Sequence, residues 1–150
     1  MNKGTIVITG GAGGLGTSCA HALKDHRLVI TDHLKEAVDR TVDELKGKGF
    51  DAVGFACDIT DKKAVHELKE FAGKQGAFKG LVHTAGVSGT VGDPRKVFTI
   101  NLLATALVVD EFYDLAREGS ALVLFSSMMG HAVPPDARYD SALRAPLGQG

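Results

Sequence analysis

Cysteine is scarce in this chain: there are two, Cys19 and Cys57. They form neither a CxxC pair nor a metal-ligand spacing, which argues against a disulfide scaffold and a zinc site; both are expected to be buried and reduced. An excess of either charge is also missing. Seventeen Lys and Arg face eighteen Asp and Glu, for a formal net charge of −1. No basic field is therefore available to attract nucleic acid. Most basic residues alternate with acids along helical stretches, as on solvated surfaces. No apolar run approaches the ~18 residues of a membrane span. The N-terminus does not read as a signal peptide, because an apolar run from Thr5 to Thr9 meets glycines at once. The expectations are a cytoplasmic location, no membrane partner and no nucleic acid. His21, His26, His66 and His131 are scattered, with no carboxylate partner at ligand spacing, so no metal is expected.

What is present is a chain of 150 residues, 44% apolar and 23% charged. That is long enough for one domain with its own core, and its composition is that of a soluble globular protein. Strand-like runs alternate with amphipathic segments. Strands are expected at 5–9, 28–32, 52–57, 80–84 and 121–126, with helices near 15–24, 34–48, 62–74 and 95–117. Val38, Val42 and Leu45 give one apolar face at helical spacing, and so do Val65, Leu68 and Phe71 or Ala72. The strands are continuous apolar runs, as expected when both faces of a sheet are covered. The alternation predicts a parallel, doubly wound α/β sheet. From His131 onward the pattern changes: three of the four prolines lie there, and no period is sustained. Residues 131–150 are expected to form a loop or insertion with a short helix near 139–143.

The most informative stretch is Thr9-Gly10-Gly11-Ala12-Gly13-Gly14-Leu15-Gly16, between the first strand and the first helix. Glycines let a pyrophosphate approach the backbone, and the helix N-terminus offers unpaired N–H groups and the positive end of its dipole. Asp32 follows Gly10 by 22 residues, at the end of the second strand. A carboxylate about 20 residues beyond such glycines hydrogen-bonds ribose hydroxyls in dinucleotide folds.

Residues 3 to 130 resemble the N-terminal part of a short-chain dehydrogenase/reductase. Thr9, Gly10, Gly14 and Gly16 match that family's T-G-x-x-x-G-x-G loop, with Leu15 between the last two glycines. Gly13 also fits T-G-x-x-G-x-x-G, the form of the extended epimerase-like branch, and the loop alone does not choose between them. Asp58-Ile59 resembles the pair whose carboxylate meets the adenine amino group. His83-Thr84-Ala85-Gly86 resembles the N-N-A-G segment, with both asparagines replaced; only Ala85 and Gly86 carry over, and His83 is assigned no chemistry. Asn101 stands where the family has an Asn that orders a water in a proton relay. Ser127, three residues before Gly130, matches the serine that holds the substrate oxygen.

One departure is large. The family's general acid/base is a Tyr about thirteen residues after that Ser, followed four residues later by a Lys that lowers the phenol pKa from ~10. Here Tyr139 is twelve residues after Ser127, and Leu143 stands at the Lys position. Arg144, one further on, cannot become neutral as an amine does. Three readings stay open: an insertion that puts the Tyr and Lys beyond residue 150, a degenerate catalytic Tyr139, and a surface Tyr139.

The resemblance implies a Rossmann-type sheet of five parallel strands in order 3-2-1-4-5, cut short after the fifth. Residues 1–150 are read as one dinucleotide-binding domain. It implies an NAD-dependent oxidoreductase interconverting a secondary alcohol and a ketone, with NADP disfavoured by the Asp32 carboxylate. The expected cofactor-binding residues are Thr9, Gly10, Gly14, Leu15, Gly16, Asp32, Asp58, Ile59, Ala85 and Gly86; the expected catalytic ones are Ser127 and Asn101. His33 and Lys35 are the cations that oppose the NAD preference. Partners would be a small alcohol or ketone and, in a homo-oligomer, other copies of the chain; members of the family often pair through the fourth and fifth helices, of which the sequence shows the fourth. The alternatives are a dinucleotide-binding module without catalysis and an extended-branch sugar-nucleotide epimerase.

Overall fold

A computed structural model describes residues 4–132, 134–144 and 146–148. Five parallel strands form one sheet: β1 (Thr5–Thr9), β2 (Arg27–Asp32), β3 (Ala52–Ala56), β4 (Phe78–His83) and β5 (Ala121–Leu124), in the order β3-β2-β1-β4-β5. Helices α1 (Gly14–Ala22), α2 (Lys35–Gly47) and α3 (Lys62–Gly73) connect the first four strands. Between β4 and β5 run α4 (Pro94–Phe98), a π-helical segment (Thr99–Ala104) and α5 (Thr105–Tyr113). After β5 come a 3₁₀ turn (Met128–Ala132) and α6 (Ala137–Leu143).

Alternation along β1 sends its side chains to two separate cores. Ile6 and Ile8 join Leu28, Ile30, Val38, Val42 and Leu45 beneath α1 and α2. Val7 joins Val29, Leu81, Val65, Leu68, Val108 and Phe112 beneath α3 and α5. Each fully buried Val, Leu or Phe contributes on the order of 1.5–3 kcal/mol, and the apolar faces expected of α2 and α3 are the ones buried. Asp61 sets the start of α3 by accepting from the backbone N–H groups of Lys63 and Ala64.

The structure corrects several expected boundaries. β4 begins at Phe78 rather than at Gly80, pairing with Thr5 across a register irregularity. β5 stops at Leu124, opposite His83, because β4 itself ends there and Thr84 turns to bond Thr9. The helix expected over 95–117 is three segments ending at Tyr113, where Arg117 and Ser120 close a turn instead. Cys57 is buried as expected; Cys19, on the flank of α1, is only half-buried, and both thiols are free. β5 forms the open edge, with Val123 and Leu124 exposed.

Among the described residues no helix is long and apolar enough to cross a membrane, and no cluster of three His, Cys, Asp or Glu could hold a metal.

Candidate functional site

β1 lies between β2 and β4, so the chain winds outward in both directions from it. At such a switch point the loops leaving neighbouring strands part and open a crevice beyond the carboxyl ends. A cleft of about 640 Å³ occupies that place, lined by residues 10, 13, 31–33, 57–60, 84–87, 96, 99 and 100.

The glycine loop forms one wall. Gly10 has φ +65°, and a Cβ there would stand 2.7 Å from the backbone nitrogen of Ala85. Both facts demand glycine. Gly11 N–H donates to Thr31 C=O at 2.9 Å, tying the loop to β2. A Cβ on Gly16 would meet Gly10 C=O at 2.3 Å, so α1 rests directly on the loop. A Cβ on Gly14 would meet nothing within 4 Å: it would protrude into open space beside the first turn of α1. The N-cap of α1 is Gly13, which has no side chain to satisfy the N–H groups of that turn.

The carboxylates stand opposite. Asp32 Oδ1 accepts from both the backbone N–H and the Nδ1–H of His33, each at 2.8 Å. Asp32 is one of the residues lining the cleft. Asp58 Oδ1 accepts from Thr60 N–H at 2.9 Å and Thr60 Oγ1 at 2.7 Å. These bonds, the backbone one foremost, hold its carboxyl below the usual range. Ile59 is buried beside it. The Cys57 thiol is pushed up to about 12, chiefly by burial and then by Asp58, and stays protonated.

Not every expected residue lines this cleft. Thr9 is fully buried; its hydroxyl meets His83 Nδ1 at 2.7 Å, and its carbonyl accepts from Thr84 N–H and Oγ1. Gly14 and Leu15 lie at the exposed start of α1, while Gly16 is packed beneath it. Asn101 falls in the π-helical segment, and its amide pairs with the backbone of Val87. Ser127 accepts from Met129 N–H at 3.2 Å and lies outside the lining residues. Tyr139 is 67% exposed, with the Arg138 guanidinium 5.9 Å from its ring.

Sequence reasoning did not place Thr31, Cys57, Thr60, Thr84, Val87, Lys96, Thr99 and Ile100 in the lining, and named Gly13 only as a glycine of the alternative loop pattern. Thr60 was legible: a Thr two residues after an Asp is a local turn partner. Thr31 and Cys57 come in at the carboxyl ends of β2 and β3, Thr84 and Val87 from the loop after β4, and Lys96, Thr99 and Ile100 from α4 and the π-helical segment. His33, weighed as an opposing cation, does line the cleft. Lys35 does not; its ammonium pairs with Asp39 on α2.

The strand order and the crevice at its switch point define a Rossmann-type fold. Residues 4–142 match the family described as short chain dehydrogenase, and the chain belongs to that family. It is 36% identical over 115 residues to the (S)-acetoin-forming diacetyl reductase of Staphylococcus epidermidis, across 70% of this chain and 44% of that protein. The chain spans about half the length of the curated reductases it matches. A short chain dehydrogenase/reductase from Burkholderia phymatum, solved in complex with NAD, is similar at TM-score 0.77 and 25% identity, over 97% of this chain and 57% of that one. An actinorhodin polyketide ketoreductase with NADPH shares the fold at TM-score 0.79 and 22% identity, over 99% of this chain and 64% of that one.

Proposed function

We propose that the cleft binds a nicotinamide dinucleotide, NAD in preference to NADP, as part of an oxidoreductase that interconverts a secondary alcohol and a ketone. The observation that carries this reading is the pairing of an uncapped glycine helix start with the Asp32 carboxylate in one crevice. The space beside Gly14, which a Cβ would fill, suits a pyrophosphate held by the N–H groups of Gly14, Leu15 and Gly16. Asp32 Oδ2 would accept from a ribose hydroxyl and repel a 2′-phosphate. Asp58 Oδ2, its partner oxygen already bonded by Thr60, would accept from the adenine amino group beside Ile59. Ala85 and Gly86 would pass close to the second ribose. When bound, the nicotinamide ring supplies the hydride donor or acceptor. Ser127 receives the Met129 N–H, so its own proton is available to a substrate carbonyl oxygen. Asn101 would fix the loop over the cofactor through Val87. Homo-oligomer formation belongs to the same proposal.

A second reading, a dinucleotide-binding module without turnover, is supported by Tyr139, exposed and followed at the fourth position by Leu143. Positioned acid/base chemistry contributes ~10²–10⁴-fold, and no Tyr-x-x-x-Lys occurs in these 150 residues. Titration with NADH tests the shared part of both readings: a saturable change in the fluorescence of NADH itself is expected, since the chain has no Trp to transfer energy. Turnover of small ketones by the 150-residue chain, lost in Tyr139→Phe, would overturn the second reading.

A further inference from the structure

The cofactor reading leaves His83, at the end of β4 beside the cleft, without a role. It is 2% exposed, and hydroxyls stand on both its ring nitrogens: Thr9 Oγ1 at 2.7 Å from Nδ1 and Thr105 Oγ1 at 2.9 Å from Nε2. The direction of these bonds can be read from their ends. The Thr105 hydroxyl donates to Asn101 C=O at 3.0 Å. Its single proton is thereby used, so it must accept from His83 Nε2–H. A neutral imidazole protonated at Nε2 has a bare Nδ1, which accepts from Thr9 O–H. The chain Thr9 to His83 to Thr105 to Asn101 therefore runs one way. It crosses from the end of β1, through the end of β4, into the π-helical segment.

Each end of that chain holds a wall of the cleft. Thr9 immediately precedes Gly10, and its carbonyl accepts from Thr84. Asn101 grips Val87 with both sides of its amide. We propose that His83 is a positioning residue that locks the glycine loop to the 84–87 loop, acting as the Nε2–H tautomer. This rests on the reading of the cleft as a dinucleotide site. Protonation at Nδ1 would leave the Thr9 hydroxyl nothing to donate to on the ring and would put a charge in the interior. The side chains bonded to the imidazole, Thr9 on β1 and Thr105 on α5, are uncharged, and so are the β5-side neighbours of its backbone, Leu124 and Phe125. Burial alone pushes its pKa below the ordinary value. The lock is thus closed at neutral pH and opens in acid.

The test compares the chain with His83→Phe, which keeps a ring of similar size, and with Thr105→Val, which breaks the same bond from the other side. Two readouts are taken: hydrogen exchange at Thr84 and Val87 amides without cofactor, and NAD affinity by calorimetry at pH 8 and pH 5.5. Losing a buried hydrogen-bonded link should weaken NAD about tenfold at pH 8 in either variant, and the double variant should be no worse than the singles. Exchange at Val87 should quicken in both. The weakening of binding between pH 8 and pH 5.5 should be smaller in His83→Phe than in the parent. Nitrogen shifts of His83 should report a protonated Nε2. Unchanged exchange, unchanged affinity, additive losses or a protonated Nδ1 at pH 8 would each overturn the proposal. If the parent chain binds neither NAD nor NADP, the dinucleotide reading fails, and the exchange data alone judge whether the lock exists.

Discussion

The side-chain amide of Asn101 pairs with both backbone groups of Val87: Oδ1 accepts its N–H and Nδ2 donates to its C=O, each at 2.8 Å. Residues fourteen apart in sequence are thus joined as two strands would be. The helix that carries Asn101 is π-helical there, a geometry common at functional sites. Asn101→Leu should cost about 0.5–1.5 kcal/mol, since the bonds are exposed and water can replace them at Val87. Urea unfolding would read that loss. A variant within about 0.3 kcal/mol of the parent, well under that range, would mean the loop is held by something else.

The two glycines of the helix start should respond oppositely to alanine. Gly16→Ala drives a Cβ against Gly10 C=O and should destabilise by roughly 1–3 kcal/mol. Gly14→Ala meets no atom and should stabilise α1 slightly, by up to ~1 kcal/mol, from helix propensity. It should nevertheless weaken cofactor binding, because the methyl occupies the space assigned to the pyrophosphate. Melting temperature and NADH titration on the same samples separate the two effects; a Gly14→Ala protein that binds normally removes the phosphate assignment.

That contrast marks how far the sequence could be read. T-G-x-x-x-G-x-G gives three glycines one pattern, but only packing tells that Gly16 touches the loop and Gly14 touches nothing. The buried faces of α2 and α3 and the position of Asp32 were legible because they rest on local period and fixed spacing, while the strand order came from the family resemblance. His83 was not: its partners Thr9 and Thr105 are 74 and 22 residues away. A single His at a strand end has no local signature of a buried network. The helix expected over 95–117 failed for a related reason: Asn101 in its π-helical segment is tied to Val87, fourteen residues away, by contacts that local spacing does not announce.

Stability should fall in mild acid, and His83 sets part of the slope. An unfolded imidazole takes up its proton near ~6.5, whereas burial lowers the folded value. Between the two, the unfolded chain binds more protons, so the contribution of His83 to stability decreases as pH falls from the unfolded value and is fully lost below the folded one. Thermal melts from pH 8 to pH 5 should show a shallower decline for His83→Phe than for the parent. Equal slopes would mean that His83 titrates alike in both states.

Cys57 should be silent to thiol reagents in the folded protein. With its pKa at about 12, almost no thiolate exists at pH 8. Labelling followed by mass spectrometry should modify Cys57 only after denaturation. Rapid native labelling there would contradict its burial.

The central claim is that the crevice at the switch point recognises a dinucleotide through Asp32, and calorimetry with NAD and NADP on the parent and on Asp32→Ala tests it most directly. The parent should bind NAD at least about tenfold more tightly than NADP, a difference of ~1.4 kcal/mol, and Asp32→Ala should narrow the gap by weakening NAD and relieving repulsion of the 2′-phosphate. Tighter binding of NADP by the parent, or a preference untouched by Asp32→Ala, would contradict the claim.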